Sequence, residues 1–128
     1  HQYEISAFAK PGKHSLHNTG YWLGRPFWGL GPSAFSYWNG SRFRNISNLS
    51  KYSTALKNNE SPIDFSETLD PDAATREAFL LKLRLTQGTP LPPFPLPPMP
   101  DLLDIKDGHV RLTQKGILFY DTVASEIV

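Results

Sequence analysis

Phe35-Ser36-Tyr37-Trp38-Asn39-Gly40-Ser41-Arg42-Phe43-Arg44-Asn45-Ile46 decides the first part of the fold, because two runs rich in aromatic and apolar residues flank an Asn-Gly pair. Both residues of such a pair tolerate positive φ, as a type I′ turn requires, so the spacing predicts a hairpin of Phe35–Trp38 against Ser41–Ile46. Upstream, Phe27–Leu30 reads as a buried strand, and Tyr3–Ala9, stopped by Pro11-Gly12, as a short strand and turn. Between them Ser15 can cap a short helix running to about Leu23, with Gly24 at its end. Downstream, Leu49, Tyr52 and Leu56 recur at i, i+3 and i+7 and predict an amphipathic helix over 48–57.

Residues 60–69 read as a polar connection between a first part, 1–59, and a second, 70–128. Asp70 can cap a helix that begins at Pro71, Asp72 suits the positive end of its dipole, and Gly88 is placed to stop it. The stripe Ala74, Ala78, Leu81 and Leu85 is expected to face a core. Residues 89–100 hold seven prolines among twelve, so they can be neither helix nor central strand and are expected to run as a stiff, extended surface connection. Asp107-Gly108 then signals a hairpin of 102–106 with 109–112, and Thr113 can cap a last helix with Ile117, Tyr120, Ala124 and Ile127 on one face. Mixed elements of this kind give an α+β chain, and helix, hairpin, helix is the outline of a winged-helix-like lobe.

Composition excludes several functions. With 39% apolar and 20% charged residues among 128, the chain is an ordered globular protein able to bury a core. A net charge of +1 gives no electrostatic case for nucleic acid or an acidic membrane. The absence of cysteine rules out disulfides and any cysteine-held iron–sulfur cluster within these residues. No run approaches the length of a membrane span and no signal peptide is visible, so a cytoplasmic location is expected. Asn-x-Ser triplets at Asn39, Asn45, Asn48 and Asn59 are read as chance in an Asn/Ser-rich stretch. The chain opens without a methionine, directly in a strand-like run, and is expected to be the tail of something larger.

The chemistry gathers in His17-Asn18-Thr19-Gly20-Tyr21-Trp22 and Gly29-Leu30-Gly31-Pro32-Ser33-Ala34. The first sets a candidate iron ligand beside aromatic rings. The second is an open loop whose glycines let main chain approach a ligand. Taken alone, each has a plainer reading: a histidine packed among rings, and an ordinary strand end. His14 stands in a turn and His109 flanks a hairpin, and both are expected in solvent. Glu4 is a strand carboxylate with no visible partner, and Trp22, Trp28 and Trp38 are expected in the core.

Together with Tyr3-Glu4-Ile5-Ser6, Ala9-Lys10-Pro11-Gly12, residues 77–85 and Val110-Arg-Leu-Thr-Gln-Lys-Gly116, these stretches resemble in order the radical SAM oxygen-independent coproporphyrinogen III oxidase family, closest to its haem-chaperone branch. The resemblance implies that 1–59 supplies terminal strand and helix elements of a partial β/α barrel and 70–128 a winged-helix-like domain. It implies a missing N-terminal barrel that ligates a [4Fe–4S] cluster and S-adenosylmethionine (SAM), so that this chain holds no catalytic residue and is inactive alone. The HNxxYW motif at His17, Asn18, Tyr21 and Trp22 implies haem or porphyrin binding, with the His17 imidazole as iron ligand and flat apolar area from Tyr and Trp. Gly29, Leu30, Gly31, Ser33 and Ala34 match the loop that approaches SAM. Phe35 departs from the family, where a histidine is common, and loses a polar contact. The proline run replaces elements usual in the domain, so a reading helix for nucleic acid is missing. Three functions remain: haem binding in a chaperone that hands haem to an acceptor protein, a share in oxidative decarboxylation of coproporphyrinogen III, and a winged-helix interaction module.

Overall fold

The first nine residues turn back on themselves instead of forming one strand. In the computed structural model, which describes residues 1–128, β1 (Gln2–Glu4) pairs antiparallel with β2 (Ala7–Phe8). The Glu4 carboxylate makes the turn, accepting from the Ser6 amide at 3.1 Å and the Ser6 hydroxyl at 2.6 Å. The other edge of β1 meets the chain beyond residue 83: the Ile5 amide donates to Arg84 O at 3.1 Å and the Thr86 amide to Tyr3 O at 3.1 Å. Helix α1 (Leu16–Trp22) forms as expected, with the Ser15 hydroxyl accepting from the Asn18 amide at 3.2 Å.

Residues 25–70 make up one structural unit, and residues 1–24 with 71–128 make up the other. In the first of these, β3 (Phe35–Trp38) and β4 (Ser41–Asn45) pair in the predicted register, Trp38 opposite Ser41, with Asn39 at φ 51° and Gly40 at φ 75°. Helix α2 (Leu49–Lys57) is capped by the Asn48 side chain, but Leu49 and Leu56 on its predicted apolar face are exposed and Ala55 is buried. The expected connection 60–69 is largely strand: β5 (Ile63–Thr68) completes an antiparallel sheet in the order β3-β4-β5. Its polar residues concealed it. They pair across the ladder, Arg42 with Glu67 at 2.6 Å and Arg44 with Asp64 at 3.1 Å. These pairs are over a third exposed and add little stability, but they fix register.

Phe27–Leu30 is not a buried strand. Phe27 alone bridges to Tyr37, while Trp28 is 60% and Leu30 87% exposed. Pro26 lacks an amide donor and Gly29 turns the chain against Phe35, so no ladder propagates. Trp28 and Trp38 are accordingly not core residues; Trp28 stands edge-on to Trp38 at 6.0 Å and to Phe43 at 5.3 Å.

In the other unit α3 (Pro71–Leu83) starts at the predicted proline but ends before Gly88. Its last turn tightens through bonds from the Arg84 amide to Leu81 O and the Leu85 amide to Lys82 O. Phe79, Leu80 and Leu83 face the core, and Ala74 is exposed, because the larger side chains gain more from burial than the predicted alanine stripe. A short β6 (Thr89–Pro90) pairs with β8 (His109–Leu112), which pairs with β7 (Leu103–Lys106) through the Asp107-Gly108 turn.

The proline run is extended, as expected, but is no surface strap: Phe94, Leu96 and Met99 pack on the core, Phe94 edge-on to Phe79 at 5.5 Å. Prolines hold it extended without ladder bonds, so alternate apolar side chains can turn inward. The terminal helix is broken at Phe119 into α4 (Gln114–Leu118), capped by Thr113, and α5 (Tyr120–Ile127). Phe79, Leu80, Leu83, Leu103, Val110, Val123 and Ile127 form the core, each large side chain contributing about 1.5–3 kcal/mol by leaving water.

Candidate functional site

Seven residues make two turns of α1, and they divide the motif between two faces. His17 and Tyr21, at i and i+4, share one: the imidazole Nε2 and the Tyr21 hydroxyl lie 2.8 Å apart, with rings edge-to-face at 4.8 Å. His17 and Asn18 are exposed. Trp22, about 140° round the helix from His17, is half-buried, and the Arg84 guanidinium sits 4.1 Å from its ring centre. The predicted wall of flat side chains beside the imidazole is therefore Tyr21 alone, with Trp22 turned away.

This arrangement suits one class of metal group. No group of three or more His, Asp or Glu side chains is placed to hold a bare ion. A single exposed imidazole suffices where a macrocycle already fills the equatorial positions of the iron, so the donor chemistry fits haem. Ligation through Nε2 would take over the position where the Tyr21 hydroxyl now bonds, whereas Nδ1 would leave that bond intact.

The glycine loop lies in the 25–70 unit and holds its own shape. A Cβ on Gly29 would overlap the Phe35 carbonyl oxygen, so only glycine fits there. The Gly29 amide donates to Ser36 Oγ at 2.9 Å, and the Asn45 side-chain amide donates to Gly31 O at 2.9 Å and Gly29 O at 3.5 Å. Ala34 O accepts from the Asn45 backbone amide at 3.0 Å, and the Ser33 amide donates to Ile46 O at 3.2 Å. Leu30 and Ser33 remain exposed. The Gly29 and Gly31 carbonyls already have a donor. The chain has no thiolate for a cluster.

Sequence reasoning missed Ser36 and Asn45, both buried and both polar. The available signal was a pair of small polar residues at ends of apolar strands, where a nearby glycine loop needs hydrogen-bond partners. It also missed the partner of Glu4. That carboxylate is 1% exposed, bonds Ser6 and faces Arg84 Nη2 at 3.7 Å. Arg84 in turn lies 5.2 Å from the Tyr120 ring. Burial pushes the Tyr120 hydroxyl above its usual value of 10.0, with the Arg84 charge acting the other way. His14 is exposed yet stacks flat on Tyr3 at 4.5 Å, and His109 is exposed in its hairpin.

Against this geometry stand the known proteins that the chain resembles. It is 40% identical over 89 residues to the heme chaperone HemW of Mycobacterium tuberculosis (strain H37Rv), covering 70% of this chain and 23% of that protein. It is 34% identical over 88 residues to the heme chaperone HemW of Bacillus subtilis (strain 168), covering 69% and 23%. The chain thus spans about a quarter of the length of these curated relatives. Among solved structures it is similar in fold to the Escherichia coli coproporphyrinogen III oxidase HemN, described as a radical SAM enzyme, with a TM-score of 0.63 at 15% identity over 80% of this chain and 28% of that one. No family model matches the chain. No helix is long and apolar enough to cross a membrane.

Proposed function

We propose that this chain, which belongs to the radical SAM coproporphyrinogen III oxidase-like family and corresponds to its C-terminal portion, supplies the haem-binding face of a haem-chaperone-like protein, with His17 as the iron ligand. The observation that carries the reading is the exposed His17 imidazole, presented on a capped helix with one aromatic hydroxyl beside it. Haem brings the iron and its redox and ligand-exchange chemistry. The chain contributes an imidazole nitrogen donor, the Tyr21 hydroxyl 2.8 Å from its Nε2, and the helix that aims both.

On this reading the remaining length of the protein carries the cluster and SAM on the larger part of a barrel, and residues 29–34 approach SAM through Leu30 and Ser33. The 71–128 segment, with α3, the sheet β6-β8-β7 and α4–α5, acts as a winged-helix-like lobe for assembly or for an acceptor of haem; a net charge of +1 argues against nucleic acid. Haem titrated into the full-length protein is expected to give a Soret band that His17→Ala shifts or weakens by about tenfold in affinity. An unchanged band and affinity would remove His17 as ligand. An oxidase reading has only the fold likeness behind it; anaerobic product analysis separates the two, since a chaperone yields no protoporphyrinogen from coproporphyrinogen III.

A further inference from the structure

Helix α1 is too short to stand alone: seven residues fall well below the roughly 12–15 an isolated helix needs, and only Gly20 is buried. Something outside must hold it. Arg84 is in position to do so, its guanidinium 4.1 Å from the Trp22 ring, 5.2 Å from the Tyr120 ring and 3.7 Å from the Glu4 carboxylate. The Glu4 side chain is 2% exposed and the Arg84 side chain 20%, so the charge pair is shielded from water. An isolated antiparallel bridge of Glu4 with Leu85 and the bond from the Ile5 amide to Arg84 O hold the two backbones side by side.

Charge and stacking act on Arg84 beside its side-chain hydrogen bond to Tyr120. Glu4 Oε2, Trp22 Nε1 and Arg84 Nε are buried with no hydrogen-bond partner. A desolvated guanidinium gains strongly from aromatic faces and an adjacent carboxylate, and loses as strongly when either is removed.

We propose that Arg84 is the positioning residue of the haem-ligand helix: by clamping Trp22 it fixes the rotation of α1, and so turns His17 and Tyr21 outward. Trp22 then serves as the anchor of the motif and not as a porphyrin contact. The clamp itself follows from the geometry alone; that what it presents is a haem ligand rests on the reading above.

Hydrogen–deuterium exchange and haem titration of the full-length protein test both parts. Arg84→Met is expected to speed exchange of amides 16–22 about tenfold while the β6-β8-β7 sheet stays protected, and to weaken haem binding about tenfold with the Soret maximum at saturation unmoved. Arg84→Lys, which keeps the charge and loses the planar fork, should fall between. Trp22→Leu should loosen the same amides, and the double variant Arg84→Met/Trp22→Leu should be no looser than the worse single one, because both remove one interaction. Unchanged exchange in Arg84→Met, or additive effects in the double variant, overturns the proposal. If Arg84→Met unfolds the whole protein, Trp22→Leu decides alone: selective loosening of 16–22 upholds the clamp and parent-like exchange refutes it. His17→Ala should alter the haem spectrum and leave exchange alone. If haem binding is indifferent to His17→Ala and to Arg84→Met while exchange rises in the latter, the clamp stands and the haem assignment falls.

Discussion

Asn45→Asp against Asn45→Ala asks which atom of a buried side chain shapes the glycine loop. The amide nitrogen of Asn45 donates to Gly31 O at 2.9 Å and reaches Gly29 O at 3.5 Å, in a residue 7% exposed. Alanine removes the donor from both carbonyls and leaves Gly31 O only the longer bond from the Ala34 amide at 3.4 Å, a loss of about 2 kcal/mol. Aspartate keeps the shape but turns an acceptor with negative charge toward two carbonyl oxygens. At pH 7.5 it is expected to cost a further ~1–2 kcal/mol. Burial and the facing oxygens raise the folded-state pKa of the introduced carboxyl above its unfolded value of about 3.9. Its protonated form can donate to Gly31 O. Stability should therefore be highest below about pH 4 and be lost as pH rises through the raised folded value. Urea titration followed by tryptophan emission reads this, since Trp28 and Trp38 belong to the same unit as Asn45. With a urea slope of about 1–3 kcal/mol per M, the alanine variant should shift the midpoint down by about 1 M and the aspartate variant further, recovering toward pH 5. An aspartate variant as stable as the alanine one at pH 7.5, with no gain on acidification, would refute the donor assignment.

Gly116→Ala places a Cβ onto the Leu102 carbonyl oxygen, which as backbone cannot swing away; despite a helix-propensity gain of about 1 kcal/mol, a net loss of about 2 kcal/mol is expected in urea unfolding. A stabilised variant would mean that α4 does not approach Leu102 so closely. Tyr120 donates to Leu80 O at 2.8 Å, so Tyr120→Phe should cost about 1 kcal/mol at pH 7. Because the folded pKa of Tyr120 is raised, its contribution is present below pH 10.0 and is lost as pH rises from there through the folded value; the phenylalanine variant should show a flatter alkaline limb, and an identical limb in both would refute the burial argument.

Local rules carried where chain chemistry had no competitor. Asn39-Gly40 and Asp107-Gly108 demanded positive φ and made their turns; Ser15 and Thr113 offered side-chain acceptors and capped their helices. Tertiary packing overrode the rest. The choice between the Ala74 and Phe79 faces of α3 depends on what the core can fill, and the turn at Ile5-Ser6 on a carboxylate that folds over its own backbone. Residues 63–68 hid as a strand because ion pairs, invisible before pairing, suit them to β4. At the site, the sequence grouped His17 with both Tyr21 and Trp22, but only Tyr21, at i+4, shares its face of α1. The sequence could not reveal that Trp22 answers to Arg84, sixty-two positions on, since no periodicity links them.

Residues 25–70 interrupt a unit whose two halves need each other: Tyr3 to Ile5 find their neighbours only at Arg84 to Thr86. During synthesis, at about 5–20 residues per second, the opening strand waits roughly four seconds to a quarter of a minute for that partner to be made. The hairpin of the interrupting unit, whose contacts are local, can form meanwhile. The helix bearing His17 thus becomes firm late, after the ribosome has supplied Arg84, and a truncated chain ending before it would display that histidine on unsettled backbone.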